Sequence, residues 1–297
     1  MTFVSHPMTR GRAIALVGSA LAFARCSSRS NAVRVGSKNF TESLVIAEIY
    51  AQALERAGMQ VERRFNLGST QIVMAALGRG DVDLYPEYTG TALVDVLHDA
   101  PIRDPAQMYR SVSDAYKKRY ALVWLQPSPM NDSQALATTA QLAATYAMHD
   151  LSAASRLAPR LRLATIPEFT SRPDGLPGLQ LFYGGFRFAD VRTYDIALKY
   201  DALLSGKADV ATAFTTDGAL ASSHLVILTD DRHFWPPYHV APVVRGAALV
   251  KHPAIAATLD AVAPKITTAA ARQMNAAVEG GQSPSDVAAA FLKTARA

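Results

Sequence analysis

Two stretches of this chain repeat the same order of side-chain types, and each leads to a ring followed by a hydroxyl. Ala76-Leu77-Gly78-Arg79-Gly80-Asp81-Val82-Asp83-Leu84 aligns with Ala202-Leu203-Leu204-Ser205-Gly206-Lys207-Ala208-Asp209-Val210. Continued without a gap, Tyr88 falls opposite Phe214 and Thr89 opposite Thr215. Each copy reads as a helix end, a glycine turn, an aspartate and a strand. Ligands in open α/β sheets bind beyond the carboxyl ends of the strands, so two such ends can line one cleft. Helix–Gly–x–x–Asp–strand is also a common connection in its own right. Asp83 and Asp209 are therefore expected to stabilise turns, not to touch a ligand.

The residues that catalysis needs do not assemble. A nucleophile with its base, a metal set or two converging carboxylates would be required. No Gly-x-Ser-x-Gly elbow is present, and no Gly-x-Gly-x-x-Gly loop follows an expected strand. His98, His149, His224, His233, His239 and His252 lack close metal-ligand spacing, and Cys26 is the only cysteine, so no internal disulfide can form. The reading is a binding protein that is not an enzyme and uses no cofactor or metal. The net charge is +5, but the basic residues are scattered. A nucleic-acid surface would cluster them with aromatics, so no nucleic-acid partner is expected.

The elements that must position the strand ends follow from periodicity. Val33-Arg34-Val35 reads as a strand, and Asn39 as a helix cap with Glu42 at the reciprocal capping-box position. Leu44, Val45, Ile49, Tyr50, Ala53, Leu54 and Ala57 recur at helical spacing until Gly58. Residues 61–65 form a second strand, 71–77 a second helix, and 82–85 a third strand that Pro86 interrupts. This alternation predicts an α/β unit on a mainly parallel sheet. Helices are expected over 254–274 and 285–295, the last opened by Pro284 and Asp286. At the other end Arg10 and Arg12 precede an uncharged apolar run, 13–24, closed by Ala22-Phe23-Ala24. That pattern predicts a signal peptide over 1–24, cleaved after Ala24, and a periplasmic protein. A lipid-anchored form through Cys26 is the alternative, although Arg25 fits a lipobox poorly.

Gly36-Ser37-Lys38-Asn39-Phe40-Thr41-Glu42 and Pro86-Glu87-Tyr88-Thr89-Gly90-Thr91 open an ordered series of motifs. Glu168-Phe169 follows, with Arg172-Pro173-Asp174-Gly175-Leu176-Pro177-Gly178-Leu179 and then Thr215-Thr216-Asp217-Gly218. Asp230-Asp231-Arg232-His233-Phe234-Trp235-Pro236-Pro237-Tyr238 and Ala241-Pro242-Val243-Val244-Arg245 complete it. In order and spacing the series resembles the substrate-binding proteins of glycine betaine/carnitine/choline ABC transporters. The resemblance implies a type II periplasmic-binding-protein fold: two α/β lobes with a ligand cleft between them and crossing hinge strands. Lobe 1 would hold 33–130 and 236–297, and lobe 2 would hold 131–235.

The resemblance also implies a site. Tyr88 and Tyr238 match aromatic cage positions around a trimethylammonium head. Phe214 stands where the family usually has tyrosine, and Gln134 where it has an aromatic. A methylated cation has no hydrogen-bond donor, so only aromatic faces and carboxylates can recognise it. Asp132 matches an acidic position near the cation, and Lys38, Thr91 and Arg172 match positions that hold a carboxylate. This clamp predicts that betaines bind better than choline. The implied partners are a betaine-like ligand and the permease and ATPase of an importer, met by a monomer. A different zwitterion, selected through Gln134 and Phe214, and delivery to a sensor in place of a permease are the alternatives.

Overall fold

The computed structural model describes residues 1–2, 31–196, 198–221 and 224–294. The expected signal peptide from residue 3 onward, its expected cleavage point and Cys26 lie outside the described residues.

Among the described residues, ten strands build two five-stranded sheets. The first contains β1 (Val33–Gly36), β2 (Val61–Arg64), β3 (Leu84–Tyr88), β4 (Leu122–Trp124) and β10 (Val240–Arg245). The second contains β5 (Gln134–Thr139), β6 (Arg162–Thr165), β7 (Asp190–Thr193), β8 (Val210–Phe214) and β9 (Leu225–Ile227). The orders are β2-β1-β3-β10-β4 and β7-β6-β8-β5-β9. Position for position they describe one topology used twice. In each, three parallel strands meet a fourth that runs antiparallel and enters from the other half of the chain. The sheets are thus mixed, where alternation alone predicted a mainly parallel one. β10 and β5 arrive through crossing segments, not through a helical crossover, so nothing forces them to run parallel.

Both faces of the first sheet are covered. Val33, Val35 and Leu84 pack with Ile46, Ile49 and Leu54 of the Thr41–Arg56 helix and with Leu259 and Leu292 from the C-terminal helices. On the opposite face Tyr85 and Val243 pack with Met108, Val112 and Tyr116 of the Pro105–Tyr120 helix. Leu84 and Tyr85 serve opposite faces because strand side chains alternate. The second sheet is likewise sandwiched between two apolar clusters. No helix among the described residues is long and apolar enough to cross a membrane.

Three local expectations are corrected. β3 does not stop at Pro86 but runs through it to Tyr88. Pro86 lies directly opposite Pro242 of the antiparallel partner, a pairing that uses neither missing N–H. The Thr41–Arg56 helix begins after Phe40 without any side-chain cap. Asn39 does not cap it, and Glu42 turns inward to Tyr88 and Asn275. The expected 254–274 helix is broken by a 3-10 turn at Ala263–Lys265, where Pro264 cannot continue the ladder. The break yields the separate helices Ala254–Val262 and Thr268–Glu279.

Candidate functional site

The carboxyl end of β3 supplies the first wall. Tyr88 is buried, and its hydroxyl donates to Glu42 Oε1 at 2.7 Å. Lys38 leaves the end of β1 and holds its ammonium 4.9 Å over the Tyr88 ring, with Phe40 beside it. That ammonium donates to Glu87 Oε1 at 2.6 Å. Glu87, fully buried, also accepts from the Tyr85 hydroxyl and from the Tyr88 backbone N–H. The Tyr238 ring lies on Gly90: a Cβ there would collide with ring carbons. Glycine at 90 is therefore what lets the two tyrosines share this strand end.

A polar chain links that wall to the second sheet. Asp174, 1% exposed, accepts from the Tyr238 hydroxyl, from Gln134 Nε2 at 2.8 Å, and from Arg172 Nε at 2.7 Å and Nη2 at 2.6 Å. The Trp235 indole donates to its carbonyl. Arg172 reaches onward through Nη1 to Asp95, just beyond β3. Burial pushes the Asp174 carboxyl up, but the Arg172 fork and the Tyr238 hydroxyl outweigh it and leave it below its ordinary range. Tyr238 is driven far the other way, by burial and then by the Asp174 charge.

The end of β8 supplies the opposite wall. Phe214 lies across the antiparallel pair from Gln134. Lys199 holds its ammonium 4.7 Å over the Phe214 ring and 5.0 Å over Tyr200, and pairs with Asp217 at 2.8 Å. Asp217 also accepts from the Tyr200 hydroxyl and the Phe214 N–H. Between the walls, Thr216 donates to Asp132 at 2.6 Å. Asn275, on the Thr268–Glu279 helix, joins Glu42 to the Thr216 carbonyl through Nδ2. Burial raises the pKa of Glu42, and it raises Asp132 well above the usual carboxylate range with the Glu42 charge adding to it.

These contacts take in every sequence-predicted residue except Thr91, for which no side-chain hydrogen bond is formed among the described residues. Thr91 is half-buried, next to Gly90 and its Tyr238 contact. Lys38 and Arg172, expected to hold a ligand carboxylate, here bind the protein's own Glu87, Asp174 and Asp95. Sequence reasoning missed Glu42, Glu87, Asp95, Asp174, Lys199, Asp217 and Asn275 as parts of the site. Glu42, Glu87, Asp174 and Asp217 stand inside the recognised motifs, so an acidic residue beside each expected cation or ring was the available signal. Lys199 and Asn275 had none. No group of three His, Cys, Asp or Glu side chains among the described residues can hold a metal ion.

Comparison with known proteins agrees with this architecture. The substrate-binding domain of ABC-type glycine betaine transport systems matches residues 31–294. A glycine-betaine-binding protein of Pseudomonas aeruginosa is 34% identical, over 91% of this chain and 90% of its own length. The carnitine transport binding protein OpuCC of Listeria monocytogenes is 29% identical over 94% of each chain. A crystal structure of a glycine betaine/carnitine/choline ABC transporter protein superposes with a TM-score of 0.78 at 31% identity, covering 88% of this chain and 98% of that one. The chain belongs to the substrate-binding proteins of glycine betaine/carnitine/choline ABC transport systems.

Proposed function

We propose that this chain captures a small quaternary ammonium compound between its two sheets, outside the cytoplasm, and hands it to an importer's permease. One observation carries the placement of the site. Tyr88 bonds Glu42 on one side, Tyr238 of one half of the chain and Gln134 of the second sheet meet on Asp174, and Phe214 stands opposite Gln134. Tyr88, Tyr238 and Phe214 offer ring faces to a methylated cation, and Asp132 offers charge. Lys38, Thr91 and Arg172 border the same region. The lobes are 33–130 with 236–297, and 131–235, and the two crossing segments act as the hinge. The protein binds without turnover, works as a monomer in the periplasm, and meets the permease with its ATPase at the membrane.

A thermal-shift series with quaternary ammonium compounds tests this reading. Ligand at a hundred times its dissociation constant stabilises the fold by about 2.7 kcal/mol, which gives a plain rise in melting temperature. A flat response across glycine betaine, carnitine and choline would sink it, and chemically altered ligand recovered from the protein would return catalysis to consideration. Intact mass of protein from the periplasm checks export. A chain beginning at Arg25 is expected, while retention of residues 1–24 speaks against cleavage and an added diacylglyceryl group indicates the Cys26 anchor.

A further inference from the structure

The cations around the two strand ends are already matched. Lys38 pairs with Glu87 at 2.6 Å and Lys199 with Asp217 at 2.8 Å. Arg172 commits Nε and Nη2 to Asp174 and Nη1 to Asp95. Arg272, on the Thr268–Glu279 helix, turns its guanidinium to the Thr215 carbonyl. Two carboxyls are left over. Among the described residues, neither Glu42 nor Asp132 has a lysine or arginine at ion-pair distance. Glu42 is held by the Tyr88 hydroxyl and Asn275 Nδ2, and Asp132 by the Thr216 hydroxyl.

A second observation points the same way. Asn275 is 5% exposed, and its Nδ2 is committed to Glu42 and to the Thr216 carbonyl. Its Oδ1 finds no donor among the described residues. A buried acceptor without a donor is costly, and here it sits beside two carboxyls that lack a counter-charge. Acceptors and negative charge converge there with no lysine or arginine paired to them among the described residues.

We infer that the ligand is a monocation without a carboxylate, and that Glu42 and Asp132 are its counter-charge. This rests on the capture reading above and sharpens it. A zwitterion has to seat its own carboxylate near Lys38 or Arg172, where Glu87, Asp95 and Asp174 already stand and repel it. A monocation makes no such demand, and it brings positive charge to two carboxyls that have no cation paired with them. The order expected from the sequence, betaines over choline, is thereby reversed.

Choline and glycine betaine make the test, because they share the trimethylammonium head and end in a hydroxyl or a carboxylate. Calorimetry of the mature full-length protein should give choline at least about tenfold tighter binding, the ratio that 1.4 kcal/mol produces. Asp132→Asn, which keeps the shape of the side chain, should weaken choline by roughly tenfold and weaken glycine betaine by less. Glycine betaine binding the wild type as tightly as choline, or the variant losing both equally, overturns the inference and leaves capture standing. No binding of either compound, or of any other quaternary ammonium compound, overturns the capture reading and this inference together. If the variant does not fold, the wild-type ratio alone decides.

Discussion

Arg34 of β1 and Arg162 of β6 grip Asp83 and Asp209 through the same hydrogen bonds: backbone N–H, Nε and Nη2 onto one carboxylate. Each aspartate N–H returns a bond to the carbonyl of its arginine. The likeness continues to the strand ends, where a lysine ammonium lies over Tyr88 in one sheet and over Phe214 in the other. The difference is in the wiring around those rings. Lys38 faces a fully buried Glu87, whereas Lys199 faces Asp217, whose side chain is 19% exposed. Tyr88 donates a hydroxyl to Glu42, and Phe214 has none to give. Backbone and turn chemistry are repeated, while the polar groups that can meet a ligand are not. A cleft built from unequal walls can orient a molecule with unlike ends.

The largest expected effect sets the two lysines against each other. Glu87→Gln leaves a buried ammonium without its counter-charge and should cost about 3–5 kcal/mol. Asp217→Asn does the same to Lys199 beside a more exposed acceptor, so about half that loss is expected. Denaturant unfolding of both variants measures the gap. Equal losses would mean that the walls are electrostatically equivalent, and the contrast drawn here would fail.

The arginine–aspartate pairs come next. Asp83→Asn should cost roughly 2–3 kcal/mol, since charged hydrogen bonds are lost and Arg34 is left facing Arg245, which also reaches Asp83 at 3.3 Å. Asp209→Asn should cost about 1 kcal/mol or less, because Arg162 is 44% exposed and water screens the pair. Both carboxyls lie below their ordinary range. For Asp209 the Arg162 hydrogen bond leads, and for Asp83 the Arg34 contacts overcome burial. Groups with depressed values contribute stability above their unfolded pKa and lose it as pH falls through the folded one. Acid unfolding should therefore be shallower in Asp83→Asn than in wild type, and barely altered in Asp209→Asn.

Glu42 and Asp132 run with the opposite sign. Their pKa values are raised, so the empty protein gains stability as pH falls through those values, while a bound cation loses its counter-charge over the same span. Affinity for a monocation should weaken as pH drops from neutral toward the ordinary carboxylate range, before that range is reached. Calorimetry across that interval checks the sign; constant affinity would separate the two carboxyls from binding.

Much of this was legible in the sequence. The repeat ending at Leu84 and Val210 anticipated two strand ends of one design, although Asp83 and Asp209, expected to stabilise turns, bind arginines of the neighbouring strands β1 and β6. The ring positions could be named because they stand in motifs with fixed spacing. What could not be read is which charges neutralise which. Lys38 with Glu87 and Arg172 with Asp95 are separated by 49 and 77 residues, and only the fold decides that such groups meet. Asn275 was invisible for the same reason, since it reaches Glu42 across 233 residues. Pro86 misled because a strand's tolerance of proline depends on its partner, and the partner, Pro242, lies far along the chain.

The smallest expected effect exchanges the rings. Tyr88→Phe removes one donor from Glu42 and leaves Tyr88's ring and its lysine contact in place. Glu42 keeps Asn275 Nδ2, so the loss should be about 1–2 kcal/mol of stability. It should also raise the Glu42 pKa further, because a hydrogen bond that favours the charged form is gone. Phe214→Tyr adds a hydroxyl to a half-buried ring opposite Gln134, and the quadrupole that faces Lys199 is nearly unchanged. Its effect on stability should stay within about 0.5 kcal/mol. If the walls were interchangeable, the double variant would restore what Tyr88→Phe loses, since the chain again carries one tyrosine and one phenylalanine at the two ends. Because Glu42 is bonded to Tyr88, and Phe214 has Lys199 over its ring instead, no restoration is expected and the two changes should add. Thermal and denaturant unfolding of the two single variants and the double variant complete the cycle. A coupling larger than about 0.5 kcal/mol would show that the two ring positions communicate directly and that the inequality of the walls has been overdrawn.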